Sequence, residues 1–437
     1  MPSLGNLRHN PAGDFNQLWS LLLEVVMQFF RRVLHPPVLG PRHYPSGYDR
    51  SADMGRSDFA DYVSRTRDML LSIHSRAGAI NLEKIVNGNL PFELKPLVPY
   101  PGTSNKSYRR GVLLTHGLSD SPYFMRHLGA FFQENGFRVM AVLLPGHGTQ
   151  PGDLLEVSWK EWAGEVAYGV DRLAEEVEEV YLAGFSAGGT LSVLQSLRDK
   201  RVRGLFLFSP AFRISAWSAL ARFHKIYSWL IPSGKWLELK PDQDIYKYES
   251  FPINAAAQMY ALIRTVNNLL HKYNVDIPVF AAASADDTTV ATSATIKFIE
   301  HTRHPSSKLV LYTTDTEEYS PGIPENKRAV SELGGTAKLE LVNSVFPEQR
   351  ILSFSHTSIV LPADDMHYGE SGEYSNCAHY YPDDIDKFAA CNNNPRQDLQ
   401  GELTDKNLKA GILRRLMYNP NFTALKVSMR NFIDDLP

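Results

Sequence analysis

The sequence predicts an α/β protein: a mostly parallel central sheet flanked by helices. Three observations predict it. Short, nearly continuous apolar runs recur between residues 111 and 312. Amphipathic stretches of helical length separate them. Glycine or proline stands at several of the junctions. A strand buried on both faces loses the in–out alternation of a half-exposed one, so such runs between helices read as a parallel sheet covered on both sides.

The elements follow in order. Leu18 to Phe30 (LWSLLLEVVMQFF) is apolar except for Ser20, Glu24 and Gln28. These fall four apart and give an apolar helix one narrow polar stripe. The run is short of the ~20 apolar residues of a spanning helix. It predicts a helix packed on the body, or one that meets a membrane surface or another subunit. Only Arg8 supplies a strong positive charge ahead of it, a poor secretory signal that leaves the compartment open between cytoplasmic and periplasmic or membrane-associated. Prolines 36, 37, 41 and 45 interrupt the chain, and Ser57 to Ser75 resumes a helical pattern.

Strands are expected at Gly111–Thr115, Phe137–Leu144, Val180–Ala183 and Val202–Phe208, with helices at Tyr123–Asn135, Trp159–Glu178 and Ala187–Arg198. Gly136 stands where a helix C′ stop belongs. The alternation then breaks. Residues 213–275, rich in aromatics, are expected to be mostly helical and inserted between two core strands. The sheet resumes at Ile277–Ala283, with a helix at Thr292–His301 and a further strand at Lys308–Tyr312. A second excursion, 314–348, precedes the apolar run Arg350–Phe354, and either 308–312 or 350–354 is the last core strand. Phe422–Leu436 reads as a docked amphipathic helix. The division expected is an N-terminal helical extension (1–100), a first core part (101–212), a helical cap (213–275) and a second core part (276–437).

Composition narrows the function. Of 437 residues 43% are hydrophobic, enough for a large core. Lys and Arg total 45 against 48 Asp and Glu, so nothing favours a nucleic-acid partner. The two cysteines, Cys377 and Cys391, form no C-x-x-C; a disulfide and two free thiols are both open. Asp364, Asp365, Asp383, Asp384 and Asp386 crowd the tail without EF-hand spacing, so a solvated acidic loop is expected there rather than a calcium site. No metal and no cofactor are expected.

The chemistry is carried by Gly184-Phe185-Ser186-Ala187-Gly188-Gly189. It contains G-x-S-x-G after a buried strand and before a helix, where a strained turn presents a serine and needs small neighbours. Serine is a weak nucleophile and requires a histidine base, which a carboxylate holds in the right tautomer. The chain order of such sites is Ser, acid, His. Asp287, just past the strand that ends at Ala283, is the expected acid, with Asp286 the alternate. His356 is the expected base, with His367 the alternate. The backbone N–H groups of Ala187, at the helix start, and of Leu118, after the strand ending at Thr115, are the expected oxyanion donors. His116 precedes the serine and reads as part of the turn.

Together THGLSDS (115–121), LPGHGT (144–149), GFSAGG (184–189), SADDTTV (284–290) and SHTSIVLP (355–362) resemble the monoacylglycerol lipase and carboxylesterase branch of the α/β-hydrolases. The resemblance implies an α/β-hydrolase fold with a helical cap, a triad of Ser186, Asp287 and His356, and a serine hydrolase acting on carboxylic esters. Short- to medium-chain acyl esters or monoacylglycerols are the expected substrates. The spacing of Asp287 to Val290 is the family's usual one. The long stretch 314–348 before His356 departs from it. Thioesterases and acyltransferases use the same triad, and the fold also occurs as a binding module without turnover.

Overall fold

The computed structural model describes residues 38–49, 58–98, 105–214, 232–315, 331–332, 337–394 and 398–436. The apolar stretch 18–30 and much of the cap's first half lie outside these residues.

Helix α1 (Phe59–Arg76) begins where the Asp58 carboxylate accepts the Asp61 N–H at 2.7 Å, a side-chain N-cap. Helix α2 (Leu82–Asn89) follows, and β1 (Phe92–Leu94) then joins the sheet. The extension expected over 1–100 therefore contributes a strand as well as helices.

The central elements are β2 (Tyr108–Thr115), α3 (Arg126–Glu134), β3 (Arg138–Val142), α4 (Trp159–Glu176), β4 (Val177–Phe185), α5 (Ala187–Arg198) and β5 (Val202–Phe208). Pro122 and a 3₁₀ turn shorten the helix expected from Tyr123, and Gly136, at φ 81°, stops it as anticipated. Ser158 and Glu161 form a reciprocal capping box that starts α4.

Of the segment between β5 and the next core strand, residues 215–231 lie outside the described residues. After a 3₁₀ turn, β6 (Trp236–Glu238) and β7 (Phe251–Pro252) pair as an antiparallel ribbon, and among the described residues of this segment only α6 (Ile253–Leu270) is an α-helix. The loop between the two short strands is closed by polar contacts. The Asp242 carboxylate accepts the N–H groups of Glu249 and Ser250 at 2.9 and 2.6 Å.

The second half holds β8 (Val279–Ser284), α7 (Thr292–Glu300), β9 (Lys308–Thr313), β10 (Ser331–Glu332) and β11 (Lys338–Asn343). The sheet runs β1-β3-β2-β4-β5-β8-β9-β11-β10, with parallel pairing from β3 through β11 and antiparallel strands at both edges. Residues 308–313 are thus a core strand. The strand beyond them is 338–343, inside the expected excursion, and not 350–354. Ile351 makes only isolated bridges, to Phe346 and Gln400.

Side chains of the inner strands divide between two buried clusters. Leu113, Leu182 and Leu205 face α4, α5 and α6; Leu114, Ala183 and Phe206 face α3 and the C-terminal helix α10 (Phe422–Asp434). Phe432 of α10 meets Phe206 edge-on at 5.2 Å between centroids. Successive side chains point to opposite faces, so each strand feeds both clusters.

Between β11 and α10 the tail forms α8 (Ile385–Asn393), the parallel pair β12 (Leu399–Gly401) and β13 (Leu413–Arg415), and α9 (Asp405–Ala410) between them. Cys377 and Cys391 are joined by a disulfide. No helix among the described residues is long and apolar enough to cross a membrane.

Candidate active site

The site lies at the carboxyl ends of the parallel strands, where open α/β sheets leave a crevice. β4 ends at Phe185, and Ser186 turns the chain into α5 with φ 52° and ψ −113°. A non-glycine residue there is strained, at a cost of order 1–3 kcal/mol. The Ser186 N–H donates to Phe208 O at 2.9 Å and ties the bend to β5. Two glycines make the turn possible. A Cβ on Gly184 would lie 2.3 Å from the Gly188 carbonyl carbon, and one on Gly188 would lie 2.1 Å from Thr115 O.

Asp287 follows β8, and its side chain is fully enclosed. Its Oδ1 accepts the N–H groups of Thr289 at 2.8 Å and Val290 at 2.9 Å. Its Oδ2 lies 2.6 Å from His356 Nδ1. His356 opens a 3₁₀ turn beyond β11, buried beside the Phe185 ring. His356 Nε2 lies 2.9 Å from Ser186 Oγ. A carboxylate accepts only, so Nδ1 carries the proton toward Asp287 and Nε2 is left to accept the serine O–H.

Ser186, Asp287 and His356 are therefore brought together from loops far apart in sequence. The two alternates are engaged elsewhere. Asp286 turns to Thr314 Oγ1 at 3.2 Å and Ser344 Oγ at 3.4 Å, and burial raises its carboxyl above the ordinary range. His367 sits between Asp244 at 3.1 Å and Glu373 at 3.4 Å. It also lines a cavity of about 310 Å³ with Lys84 and Tyr374, to which none of Ser186, Asp287 and His356 contributes.

Ala187 is the first residue of α5, so its N–H has no partner within the helix. Neither it nor the Leu118 N–H donates to a backbone acceptor outside regular structure among the described residues. The loop that carries Leu118 is held from below and from the cap. His116 Nε2 accepts the Leu144 N–H at 3.0 Å, so its Nδ1–H donates to Gly117 O at 2.8 Å. Burial, with His147 close by, holds His116 well below its usual pKa, and it stays neutral. This is a structural part of the turn, as its place in the chain implied. Ser119 adopts φ 67°, and its carbonyl accepts the Tyr248 N–H at 2.9 Å. Lys247 pairs with the buried Asp120 and reaches Ser119 Oγ at 3.0 Å. Burial still leaves the Asp120 carboxyl above its ordinary value, despite the lysine.

Sequence reasoning missed four residues around the site: Asp120, Lys247, Glu402 and Arg415. Asp120 stands inside the THGLSDS segment and could have been found there as a carboxylate next to the oxyanion loop. The other three come from the cap and the tail, at no motif spacing. Among the described residues no group of three His, Cys, Asp or Glu side chains could hold a metal ion.

Residues 106–314 match the family Hydrolase_4, described as serine aminopeptidase, S33. A thermostable monoacylglycerol lipase of Bacillus sp. (strain H-257) is 28% identical over 154 residues, covering 35% of this chain and 61% of the relative. The chain thus spans about three-fifths of that relative's length. A carboxylesterase of Bacillus subtilis (strain 168) is 26% identical over 208 residues, covering 46% of this chain and 81% of the relative. Among solved structures, a Paleococcus ferrophilus monoacylglycerol lipase is 18% identical, with a TM-score of 0.40 over 51% of this chain and 88% of the other. With the sheet order and the strand–serine–helix turn, the family match and the two bacterial relatives support an α/β-hydrolase fold for this chain, similar in sequence to enzymes of esterase and lipase type.

Proposed function

We propose that the chain hydrolyses carboxylic esters, with Ser186 as nucleophile, His356 as base and Asp287 as the group that orients and stabilises the imidazole. The observation that carries this reading is the unbroken contact from Asp287 through His356 to the Ser186 hydroxyl, 2.6 and then 2.9 Å.

The chemistry follows from the parts. His356 Nε2 takes the serine proton as Oγ attacks the ester carbonyl. The new C–O bond leaves negative charge on the carbonyl oxygen, to which the Ala187 and Leu118 N–H groups donate. The tetrahedral species collapses as His356 returns the proton to the departing alcohol, leaving an acyl-enzyme. Water, deprotonated by the same imidazole, repeats the sequence in reverse and releases the acid. Short- to medium-chain acyl esters and monoacylglycerols are the substrates we favour; the names of the two bacterial relatives support carboxylic esters, monoacylglycerols among them.

A fluorophosphonate probe is expected to label Ser186, and p-nitrophenyl esters from acetate to decanoate to be cleaved. Thioester and anilide substrates run beside them separate this reading from a thioesterase or an amidase. The family description, which names an aminopeptidase, makes the anilide arm necessary. A chain in which Ser186→Ala cleaves esters at the wild-type rate ends the proposal. A folded wild-type chain that takes no label on Ser186 favours a binding module.

A further inference from the structure

The geometry points to a buried ion pair from the C-terminal tail, Glu402–Arg415, as a positioning clamp that holds the Asp287 and His356 loops in register; it rests on the triad reading proposed above.

The Glu402 side chain is completely enclosed. Its Oε2 accepts three donors from three parts of the chain: the backbone N–H of His356 at 2.9 Å, that of Thr288 at 3.4 Å, and Arg415 Nη2 at 2.9 Å. Its Oε1 accepts the Leu403 N–H at 2.8 Å. Arg415 Nη2 continues to Thr289 Oγ1 at 2.6 Å. One carboxylate and one guanidinium thus tie the residue that is His356 itself to both residues that follow Asp287.

The pair is built into the tail. β12 and β13 set Gly401 opposite Arg415, which brings the two charged side chains from adjacent strands to one end of the sheet. The same strands grip the histidine loop. Leu352 N–H donates to Gln400 O at 2.8 Å, and Gln400 N–H donates to Arg350 O at 2.9 Å. Ser353 Oγ accepts the Glu402 N–H at 3.1 Å and an Asn407 amide proton at 2.9 Å. Thr357 Oγ1 donates to Leu416 O at 3.3 Å. Residues 350–354 have no strand of the main sheet to lean on; Ile351 pairs with Phe346, and the tail supplies the partners of Arg350 O and Leu352 N–H.

The charges fit the same role. Burial by itself would raise the Glu402 carboxyl; the Arg415 charge and the N–H donors overcome this and hold it below its ordinary range. Arg415 also lies within electrostatic reach of Asp287. With Glu402 present, the guanidinium is neutralised, and the Asp287 charge remains for the imidazolium that forms as the serine proton moves. With Glu402 gone, Arg415 competes with His356 for Asp287.

The test uses the full chain and three measurements: the count of sites labelled by a fluorophosphonate at completion, the labelling rate constant, and kcat per labelled site with p-nitrophenyl butyrate. Glu402→Gln is the first variant. Every neighbour of the carboxylate is a donor, so an amide must turn its NH₂ against one of them. Displacements of about 1 Å in a catalytic group cost on the order of 100-fold. We expect the labelled count to stay near one, KM to stay within about threefold, and per-site kcat and labelling rate both to fall at least about tenfold. A merely structural pair would lower the labelled count and leave the per-site constants alone; per-site kcat within twofold of wild type would overturn the clamp. Should Glu402→Gln fail to fold, Thr289→Val carries the test. It deletes one acceptor on an exposed residue, and per-site kcat is expected to fall about fivefold, the worth of one hydrogen bond. No change there overturns the clamp equally. A wild-type chain that is folded but unlabelled at Ser186 is a different failure: it removes the triad reading, and the clamp with it.

Discussion

Asp287→Asn is the substitution whose consequence the geometry determines most sharply. The Asp287 carboxylate divides its work: Oδ1 accepts two backbone N–H groups, from Thr289 and Val290, and Oδ2 faces His356 Nδ1. An asparagine must keep its oxygen on the two N–H groups, because an NH₂ there would meet two donors. Its NH₂ therefore faces His356 Nδ1. A donor at that position selects the tautomer with the proton on Nε2. Nε2 is the atom 2.9 Å from Ser186 Oγ, and once protonated it cannot accept the hydroxyl proton. Loss of the correct tautomer in a serine–histidine pair costs about 10⁴ in kcat. At 1.36 kcal/mol per decade this is about 5.4 kcal/mol of transition-state stabilisation. The fold should stand, since both backbone bonds to the side chain survive. Steady-state kinetics with p-nitrophenyl butyrate, beside a thermal melt, measure both quantities. An Asp287→Asn chain with kcat within tenfold of wild type and an unchanged melt would refute the argument.

Three further outcomes are expected. Gly188→Ala puts a methyl 2.1 Å from Thr115 O and 2.7 Å from His116 O, both backbone atoms that cannot swing aside, so it should destabilise by at least about 2 kcal/mol; an unchanged denaturant midpoint contradicts the packing. Lys247→Met leaves Asp120 buried without its cation and should cost about 3–5 kcal/mol at neutral pH, the size of a broken buried pair. The loss should shrink as the pH falls and the already raised Asp120 carboxyl protonates; equal losses at neutral and acid pH would show that the missing charge is not the cause. Glu402, held below its ordinary value in the folded chain, contributes stability that is present above its unfolded pKa and lost as pH falls through the folded one. The melting temperature of Glu402→Gln should accordingly fall less between pH 6 and 3 than that of wild type, and parallel curves would exclude the effect.

Much of the scaffold is legible in the sequence because its signals are local. The apolar runs at 111–115, 180–183, 202–208 and 308–312 become strands β2, β4, β5 and β9, since a run too apolar for a surface helix and bounded by turns must be buried from both sides. The bend at Ser186 is equally local: two glycines flank a serine because no larger residue fits between β4 and the Thr115 backbone. Edge elements are harder to read. β11 carries a weak alternation, Leu339 and Leu341 inward with Glu340 between, whereas 350–354 looks the more strand-like and is not in the sheet. Phe354 stacks instead on Tyr312 and Phe346, and Ile351 is buried in the same cluster, contacts that no local pattern records. In the described part of the cap, Asp242 closes a loop by side-chain bonds to residues seven and eight positions on, which no local pattern records either.

By itself, then, the amino-acid order determined the parallel sheet, the strained serine and the short set of carboxylates and histidines from which a partner had to come. The tertiary structure alone decided which of them meet. Asp286 and Asp287 are adjacent, yet one faces Thr314 and the other His356, because the two backbone N–H groups of Thr289 and Val290 capture only the second. Glu402 and Arg415 reach the site from the tail, 46 residues past His356 in the one case and 126 past Thr289 in the other. Periodicity and spacing act over a few residues, whereas a hydrogen bond across a folded core depends on where the whole chain has placed its two ends.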